Sequence, residues 1–538
     1  MTQEIEHVDP RARFEILAAI LLTLFLSALD QTIVGTALPV IVTDLGGNEL
    51  YTWVVTVYLL TSTVTGPMYG KLSDQFGRRP LMMVGVGLFL LGSLLSSLSG
   101  SMWQLILFRG IQGLGAGAIF PISLAVIGDL FSPRERGKYQ GLFGGVFGIS
   151  MIIGPALGGF LTDSISWHWI FIVNIPIGLT ALVVLWRLLP HTSHPERRHS
   201  VDYLGAFVFT AAVVPIMLGL TNKQSADWTD PLVGGLIALG VILTGVFIWI
   251  ESRAKEPIIP LGLFRNRTVT ASIIATTLMS FGFFGAIIFI PRWFQFVQGS
   301  SATLSGYQMM PMFVGVIGSS IASGILVSKT GHYKVLISVA LGLAAIGLFL
   351  MTGLSAETPV PVLWIGMFVA GLGIGPSMAV FTIVVQSAVS QAALGVATSA
   401  LTFFRQVGGT IGLALAGTIF GSSLVDQLPS QLRAAGVPEQ LATAFGQQGN
   451  AALGAVTGVG VNLGQEILKN VPAPARPQVE PFIPNIVDGI YSAFSIAIGH
   501  AVWLGVGAAA LATVVLVLFL PELPLRRHVG DAPPLMAE

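Results

Sequence analysis

Residues 70–80 read GKLSDQFGRRP. They separate two apolar stretches, 50–69 and 81–98, each long enough to cross a bilayer, which takes about 20 apolar residues. The run is therefore expected to be a tight turn between two spans. It carries Lys71, Arg78 and Arg79, and short basic loops stay on the cytoplasmic side, so it sets the topology before and after it. Gly70 lets two helices approach closely and Gly77 permits the turn. Asp74 is an acid among bases at the membrane edge, placed to pair with Arg78 or with a helix N-terminus.

The rest of the chain fits an integral membrane protein. Of 538 residues, 53% are hydrophobic and 10% are charged, against about 25% charged in soluble domains. The apolar runs are continuous rather than alternating, so the spans are helices and not barrel strands. Formal net charge is zero, which gives no reason to expect a nucleic-acid partner. Cysteine is absent, excluding disulfides and thiolate metal sites. No G-x-x-x-x-G-K-[ST] run, nucleophile–base pair or metal-ligand spacing is present, so the chain is expected to be no enzyme and to need no cofactor. The N-terminal MTQEIEHVDPRARF lacks a short apolar core with a cleavage site, and the first span is expected to direct insertion.

Apolar spans are read near 14–38, 50–69, 81–98, 103–127, 138–162, 167–188, 202–222, 232–251, 268–291, 306–328, 335–353, 361–387, 396–420 and 490–520, fourteen in all. With both termini cytoplasmic, the basic residues fall mainly on inner segments: Arg11, Arg13, Lys71, Arg78, Arg79, Arg134, Arg136, Lys138, Arg187, Arg197, Arg198, Arg253, Lys255, Arg265, Arg267, Lys329, Lys334, Arg526 and Arg527. Outer segments hold Lys223, Arg433, Lys469 and Arg476, with Arg292 near an outer edge. That asymmetry is what the positive-inside rule demands, and a missed span would reverse it downstream. The expected location is the plasma (inner) membrane.

The chain repeats itself. Gly113-Leu-Gly-Ala-Gly117 returns as Gly371-Leu-Gly-Ile-Gly375, and the same offset carries Gly137 onto Gly395. Gly70, Leu72 and Gly77 return as Gly324, Leu326 and Gly331, but Ser328 stands where Asp74 stood, and His332 and Tyr333 replace the arginine pair. The expected fold is all-α: a six-helix bundle over 1–189, a linker with two additional helices over 190–256, and a second, pseudo-symmetric six-helix bundle over 257–538. Parallel six-span halves place the substrate site between them. Residues 190–201 read as a basic linker. Residues 421–489 read as a long outer segment, taken as a solvated loop, with a lid or lipid-surface contact over the outer mouth as the alternative; a weakly amphipathic helix over 429–447 and an extended proline-rich run over 471–484 are expected within it.

An ionisable side chain inside a span costs roughly 2.5–3.5 kcal/mol, so each needs a reason. Asp30 lies in the first span and Arg109 in the antiparallel fourth, at depths that agree to within roughly 5 Å. They can be neighbours, either as a static ion pair or as a proton switch in which water access or distance shifts the balance between charged and neutral Asp30. Gln31 and Gln112 are polar companions able to hold either state. Arg405, with Gln406 beside it, lies near mid-depth of the thirteenth span with no intramembrane carboxylate in its own half; these two, with Gln31 and Gln112, are the candidates for the substrate cavity. Gly144, Gly148, Gly154 and Gly158, with Pro155 and Gly159, form small-residue faces suited to packing between the bundles.

The pattern G-x-L-x-D-x-x-G-R-R at Gly70–Arg79 resembles the loop between spans 2 and 3 of the major facilitator superfamily of secondary transporters. LDxTIVxxALPxI around Asp30, RGIQGxGxG around Arg109 and GPALGG at Gly154–Gly159 resemble further motifs of its fourteen-span drug:proton antiporters, with Gly35 where an asparagine is usual and His168 where an arginine is usual. The resemblance implies that Asp30 and Arg109 couple protons and that Gly70, Asp74, Gly77, Arg78 and Arg79 form a cytoplasmic gate. It also implies that Asp74 docks on the N-terminus of the thirteenth span, near Gly395 to Thr398, when the inner side is shut. The expected function is proton-gradient-driven export of lipophilic or amphipathic small molecules by a monomer. A transporter of a lipid or lipid-linked precursor, in contact with membrane lipids, and a non-transporting membrane sensor are the alternatives.

Overall fold

The computed structural model describes residues 10–46, 50–190, 201–223, 226–443, 445, 463–471 and 476–522. Among them the chain is built from helices, with no strand. The first bundle comprises α1 (Pro10–Leu45), α2 (Tyr51–Phe76), α3 (Arg78–Ser97), α4 (Met102–Leu130), α5 (Pro133–Ser164) and α6 (Asn174–Leu188), the last preceded by a short turn of helix, Trp169–Ile172. Two further helices, α7 (Tyr203–Asn222) and α8 (Leu236–Glu251), follow. The second bundle comprises α9 (Arg267–Phe296), α10 (Met310–Thr330), α11 (Lys334–Leu350), α12 (Val360–Ser387), α13 (Leu394–Ala434) and α14 (Ile483–Phe519). Among the described residues twelve helices are long and apolar enough to cross a membrane; α11 is apolar but shorter, and α2 is diluted by the hydroxyls of its TSTVT stretch. The linker over 191–200 lies outside the described residues.

The repeated glycines have repeated tasks. Gly113 and Gly117 of α4 lie against Tyr58, Thr61, Ser62 and Thr65 of α2, and Gly115 lies against Phe89 and Gly85 of α3. In the second bundle Gly371 and Gly375 of α12 lie against Met312, Val316 and Ser319 of α10, and Gly373 lies against Ala340 and Ala344 of α11. In each bundle a Cβ at any of these positions would collide with the neighbour's backbone, so glycine sets how closely the helices approach. Gly77 (φ 93°) ends α2 and Gly331 (φ 75°) ends α10, both in a conformation that disfavours side chains.

The two halves meet along two related seams. At one, Gly70 of α2 faces Gly395 and Ser399 of α13; at the other, Gly324 of α10 faces Gly137 and Gly141 of α5. Gly144 and Gly148 extend the second seam against Ser320 and Ile317, and Ser320 Oγ donates to the Gly141 carbonyl at 3.2 Å. Pro155 also crosses between halves, facing Gly306. Gly154 and Gly158 do not: they receive Thr32, Ile33 and Thr36 of α1, within the first bundle, and Gly159 has nothing within 4 Å of a built Cβ. A four-residue small-residue spacing marks a close helix contact without saying which helix is the partner, and that is why these three were misassigned.

The additional helices cover the α2–α13 seam. Phe209, Val213 and Met217 of α7 pack with Phe247 of α8, Leu60 and Val64 of α2, and Phe403 of α13. The other face of α8, including Val241, Ile242 and Trp249, is exposed, as expected of a lipid-facing surface. After α8, Glu251 accepts from the backbone N–H groups of Ile258 (3.1 Å) and Ile259 (3.4 Å), shaping the return to α9. Lys71 pairs with Glu256 at 2.7 Å. This pair is partly exposed and screened, worth at most about 1 kcal/mol. Glu256→Gln is expected to move the melting temperature in detergent by less than about 2 °C, as read by static light scattering on heating.

The described residues of 421–489 form a packed helical cap and not simply a solvated loop. α13 continues to Ala434 and α14 begins at Ile483; at 1.5 Å per residue, each is about 55–60 Å long, well beyond the roughly 30 Å hydrocarbon core. Leu424, Leu428 and Leu432 of α13 and Ile486 and Ile490 of α14 are buried in one core with Val437, Leu463, Ile467 and Val479. Asn485 donates to the Ala435 carbonyl, and Gly489 lies under Leu432. The leucines recur every fourth residue, a helical stripe that the Gly-, Gln- and Pro-rich composition obscured. The run expected to be extended is helical over Arg476–Val479 and Glu480–Phe482. Residues 444, 446–462 and 472–475 lie outside the described residues, and with them part of the expected 429–447 helix.

Candidate functional site: a buried carboxylate network and a closed seam

Asp30 of α1 and Arg109 of α4 meet inside the first bundle. Gly113, one turn beyond Arg109, lets α4 close on Tyr58 of α2, and the guanidinium lies 4.1 Å above the Tyr58 ring. Arg109 Nη1 donates to Asp30 Oδ2 at 2.5 Å and to Gln112 Oε1 at 2.7 Å. Gln112 Nε2 donates to Asp30 Oδ1 at 2.8 Å, and Asn174 Nδ2 of α6 donates to the same oxygen at 3.0 Å. Asn174 also donates to Ser93 Oγ at 3.0 Å, which donates to the Phe171 carbonyl at 2.9 Å. Arg109 Nε reaches the Val54 carbonyl at 3.4 Å. Asp30, Arg109, Gln112 and Asn174 are all buried.

Three donors from two helices thus converge on one carboxylate away from water. Neutralising Asp30 would turn an acceptor into a donor and strip Arg109 of its counter-charge, so the arrangement cannot persist unchanged through a change of protonation. Gln31 does not bond Asp30 or Arg109 directly. It is exposed, its amide reaches the Ser27 carbonyl at 3.5 Å, and its side chain bonds Tyr58, whose ring lies under Arg109. Asn174 was legible in WHWIFIVNIP as a polar residue in an apolar run, but its depth opposite Asp30 was not. His168 in that run stacks on Trp167 and bonds Ser166 Oγ at 2.7 Å.

A second cluster closes the seam at the Gly70–Pro80 end. Asp74 accepts from Gly395 N at 3.0 Å and Val396 N at 2.8 Å, at the N-terminus of α13. There, unpaired N–H groups and the helix dipole favour an anion. Arg78 Nη1 lies 2.5 Å from Asp74 Oδ1 and donates to Ser73 Oγ at 2.7 Å, while Arg78 Nε donates to Asp129 Oδ2 of α4 at 2.9 Å. The carboxylates of Asp74 and Asp129 and the Arg78 guanidinium are buried. Asp129 was missed because it falls just past the fourth apolar run and reads as loop. Arg79 follows Arg78 in α3 and is half-buried.

The related corner of the second bundle has a neutral Ser328 in the place of Asp74. Ser328 lies against Gly137 at the start of α5, while His332 and Tyr333 turn to Glu522 and the Pro521 carbonyl. Instead, Gln140 of α5 donates to Gln386 Oε1 of α12 at 2.7 Å, and Gln386 Nε2 donates to the Leu124 carbonyl (3.0 Å) and Thr398 Oγ1 (3.1 Å). These buried amides tie the halves together near the Asp74 cluster. Gln406 likewise crosses the α2–α13 seam, accepting from Thr63 Oγ1 at 2.6 Å, so it serves closure in this state. Asp74→Asn would weaken a charge-assisted contact worth about 1.5–3 kcal/mol, shifting the closed population roughly ten- to hundredfold. Maleimide labelling of Thr402→Cys from the Gly70–Pro80 side is expected to rise accordingly.

Two bundles of six membrane helices, related by a repeat and closed by a basic turn, define a transporter-type fold. A family model described as Major Facilitator Superfamily matches residues 20–413, and the chain belongs to that superfamily as a multi-pass membrane protein. The multidrug transporter protein MdtP of Bacillus subtilis (strain 168) is 37% identical over 524 residues, covering 96% of this chain and 94% of that protein. Multidrug resistance protein 3 of the same organism is 34% identical over 482 residues, covering 89% and 90%. Among solved structures, the proton:xylose symporter XylE superposes with a TM-score of 0.57 at 15% identity, covering 95% of this chain and 96% of that one, a likeness of fold.

Proposed function

We propose that this chain is a proton-coupled antiporter that exports lipophilic or amphipathic small molecules by alternating access. Its relatives are named multidrug transporters, which supports drug-like cargo. The observation that carries proton coupling is the Asp30 network: an ionisable acid buried at membrane depth, held by donors whose geometry depends on its charge. In this reading the Asp74 cluster shuts the cytoplasmic side, both termini lie in the cytoplasm, and the protein works as a monomer in the plasma membrane.

The cycle follows from the electrostatics. With Asp30 ionised, Arg109 stays paired and the first bundle stays in the arrangement described. A proton from outside releases Arg109 and costs the network its acceptor, which favours repacking of α1 against α4 and loosens the bundle that α2 joins to the gate. Opening inward exposes Asp30 to the less acidic side, where the proton leaves and cargo loads. The test uses proteoliposomes containing a trapped pH-sensitive dye. Adding a lipophilic fluorescent substrate on the cytoplasmic face should drive proton movement in the opposite direction. Substrate transport with no linked proton flux would overturn antiport.

A further inference from the structure

Arg405 is the deep charge without an answer. Asp30 and Arg109 neutralise each other, and Asp74 and Asp129 share Arg78. Arg405 forms no ion pair with a described carboxylate, and its Nη2 is buried without a hydrogen-bond partner. A guanidinium at membrane depth costs several kcal/mol unless something solvates it.

Its position on α13 says where it faces. Seven residues bring a helix back to nearly the same direction, so Arg405 stands on the Thr398 face, about 10 Å further along. Thr398 faces the bundle interior, where it meets Gln386 and, through it, Gln140. The adjacent face of α13 carries the α2 seam, where Gln406 bonds Thr63, and the far face packs through Phe403 on Phe209 of α7. Arg405 thus shares the face of α13 that carries Thr398, one to two turns beyond the amides that tie the halves together. One turn beyond, Gly409 leaves room for Phe284 of α9 to lie against α13, where a Cβ would come within 2.6 Å of the ring. Gly412 does the same for Phe281.

We propose that Arg405 is an anion subsite of the central cavity and receives a carboxylate on an aryl or alkyl body that lies along Phe284. The planar fork suits a bidentate carboxylate, and the net positive charge left between the halves disfavours cationic cargo. The proposal deepens the transport reading by naming a substrate class, and rests on it for the cavity being the substrate path.

The test is binding to the full-length chain in detergent, measured by calorimetry, with three probes sharing one ring system: 2-naphthoate, 2-naphthylmethanol and 2-naphthylmethylammonium. The wild type should bind naphthoate on the order of tenfold or more tighter than the alcohol and the ammonium weakest. Arg405→Gln should bring naphthoate down to the affinity of the alcohol, with the alcohol itself unchanged. Arg405→Lys keeps the charge but not the fork and should give an intermediate loss; it carries the test alone if the glutamine variant does not fold. Equal binding of the three probes to wild type, no binding of naphthoate, or naphthoate binding indifferent to both variants would overturn the proposal. Arg405-dependent naphthoate binding without substrate-linked proton flux in proteoliposomes would sink proton coupling and leave the subsite standing. The converse result would remove the subsite alone.

Discussion

Asp30→Asn is expected to abolish accumulation of substrate against its gradient. One pH unit across a membrane is worth about 1.4 kcal/mol per proton, a tenfold substrate gradient for one-proton coupling. In proteoliposomes under that gradient, the wild type should approach such a ratio and the variant should settle at unity. Downhill equilibration should persist, because asparagine preserves the shape at which Gln112 and Asn174 converge. The substitution also leaves Arg109 as a buried charge without its partner, which costs about 3–5 kcal/mol. Arg109→Gln added to Asp30→Asn relieves that cost without restoring coupling. Equal gradient-driven accumulation by wild type and Asp30→Asn would remove Asp30 from the coupling role, and a static ion pair would then suffice.

Gly324→Leu is expected to hold the seam between α5 and α10 open at the end that carries Gly70–Pro80. A Cβ at Gly324 falls on the carbonyl oxygen of Gly137, and since both atoms belong to rigid helical backbone, no rotamer relieves the clash. Closure of that end is lost, so transport should fall to background. A cysteine introduced at Thr402 should react with a maleimide from the same side as fast as in a permanently open protein. Gly159→Leu is the matched control, because nothing lies within 4 Å of a Cβ there; its transport should stay within about twofold of wild type. A Gly324→Leu variant that transports normally would mean that the closed seam is not part of the working cycle.

What was legible in the sequence, and what was not, follows from the range of the interactions. Span positions and helix type come from long apolar runs and basic turns, which are local; the chain is helical at the expected places, and twelve of the described helices are long and apolar enough to span. The repeat was readable because the glycines that set helix spacing recur at fixed offsets. Asp30 and Arg109 were found because a charge in an apolar run is conspicuous by itself. Neutral polar residues are not: Gln140, Gln386 and Thr63 became visible only when the two halves were brought together. Asp129 was hidden at the end of a run, where an acid is unremarked until Arg78 is seen to face it. The cap over 421–489 was lost to composition, since glycine and proline outweigh a leucine stripe that matters only when α14 packs on it.

The placement of α7 and α8 has a bearing on how cargo reaches the protein. A molecule dissolved in one leaflet can slip sideways into such a bundle only where two helices part. On the flank of α2 and α13 the additional pair forms a second wall, with Phe209 and Phe403 filling the crevice. The opposite flank, between α5 and α10, has no such covering among the described residues and is lined by Gly141, Gly144 and Gly148. Of two flanks that the repeat made alike, one is thus covered by the additional pair, and the other, among the described residues, is not.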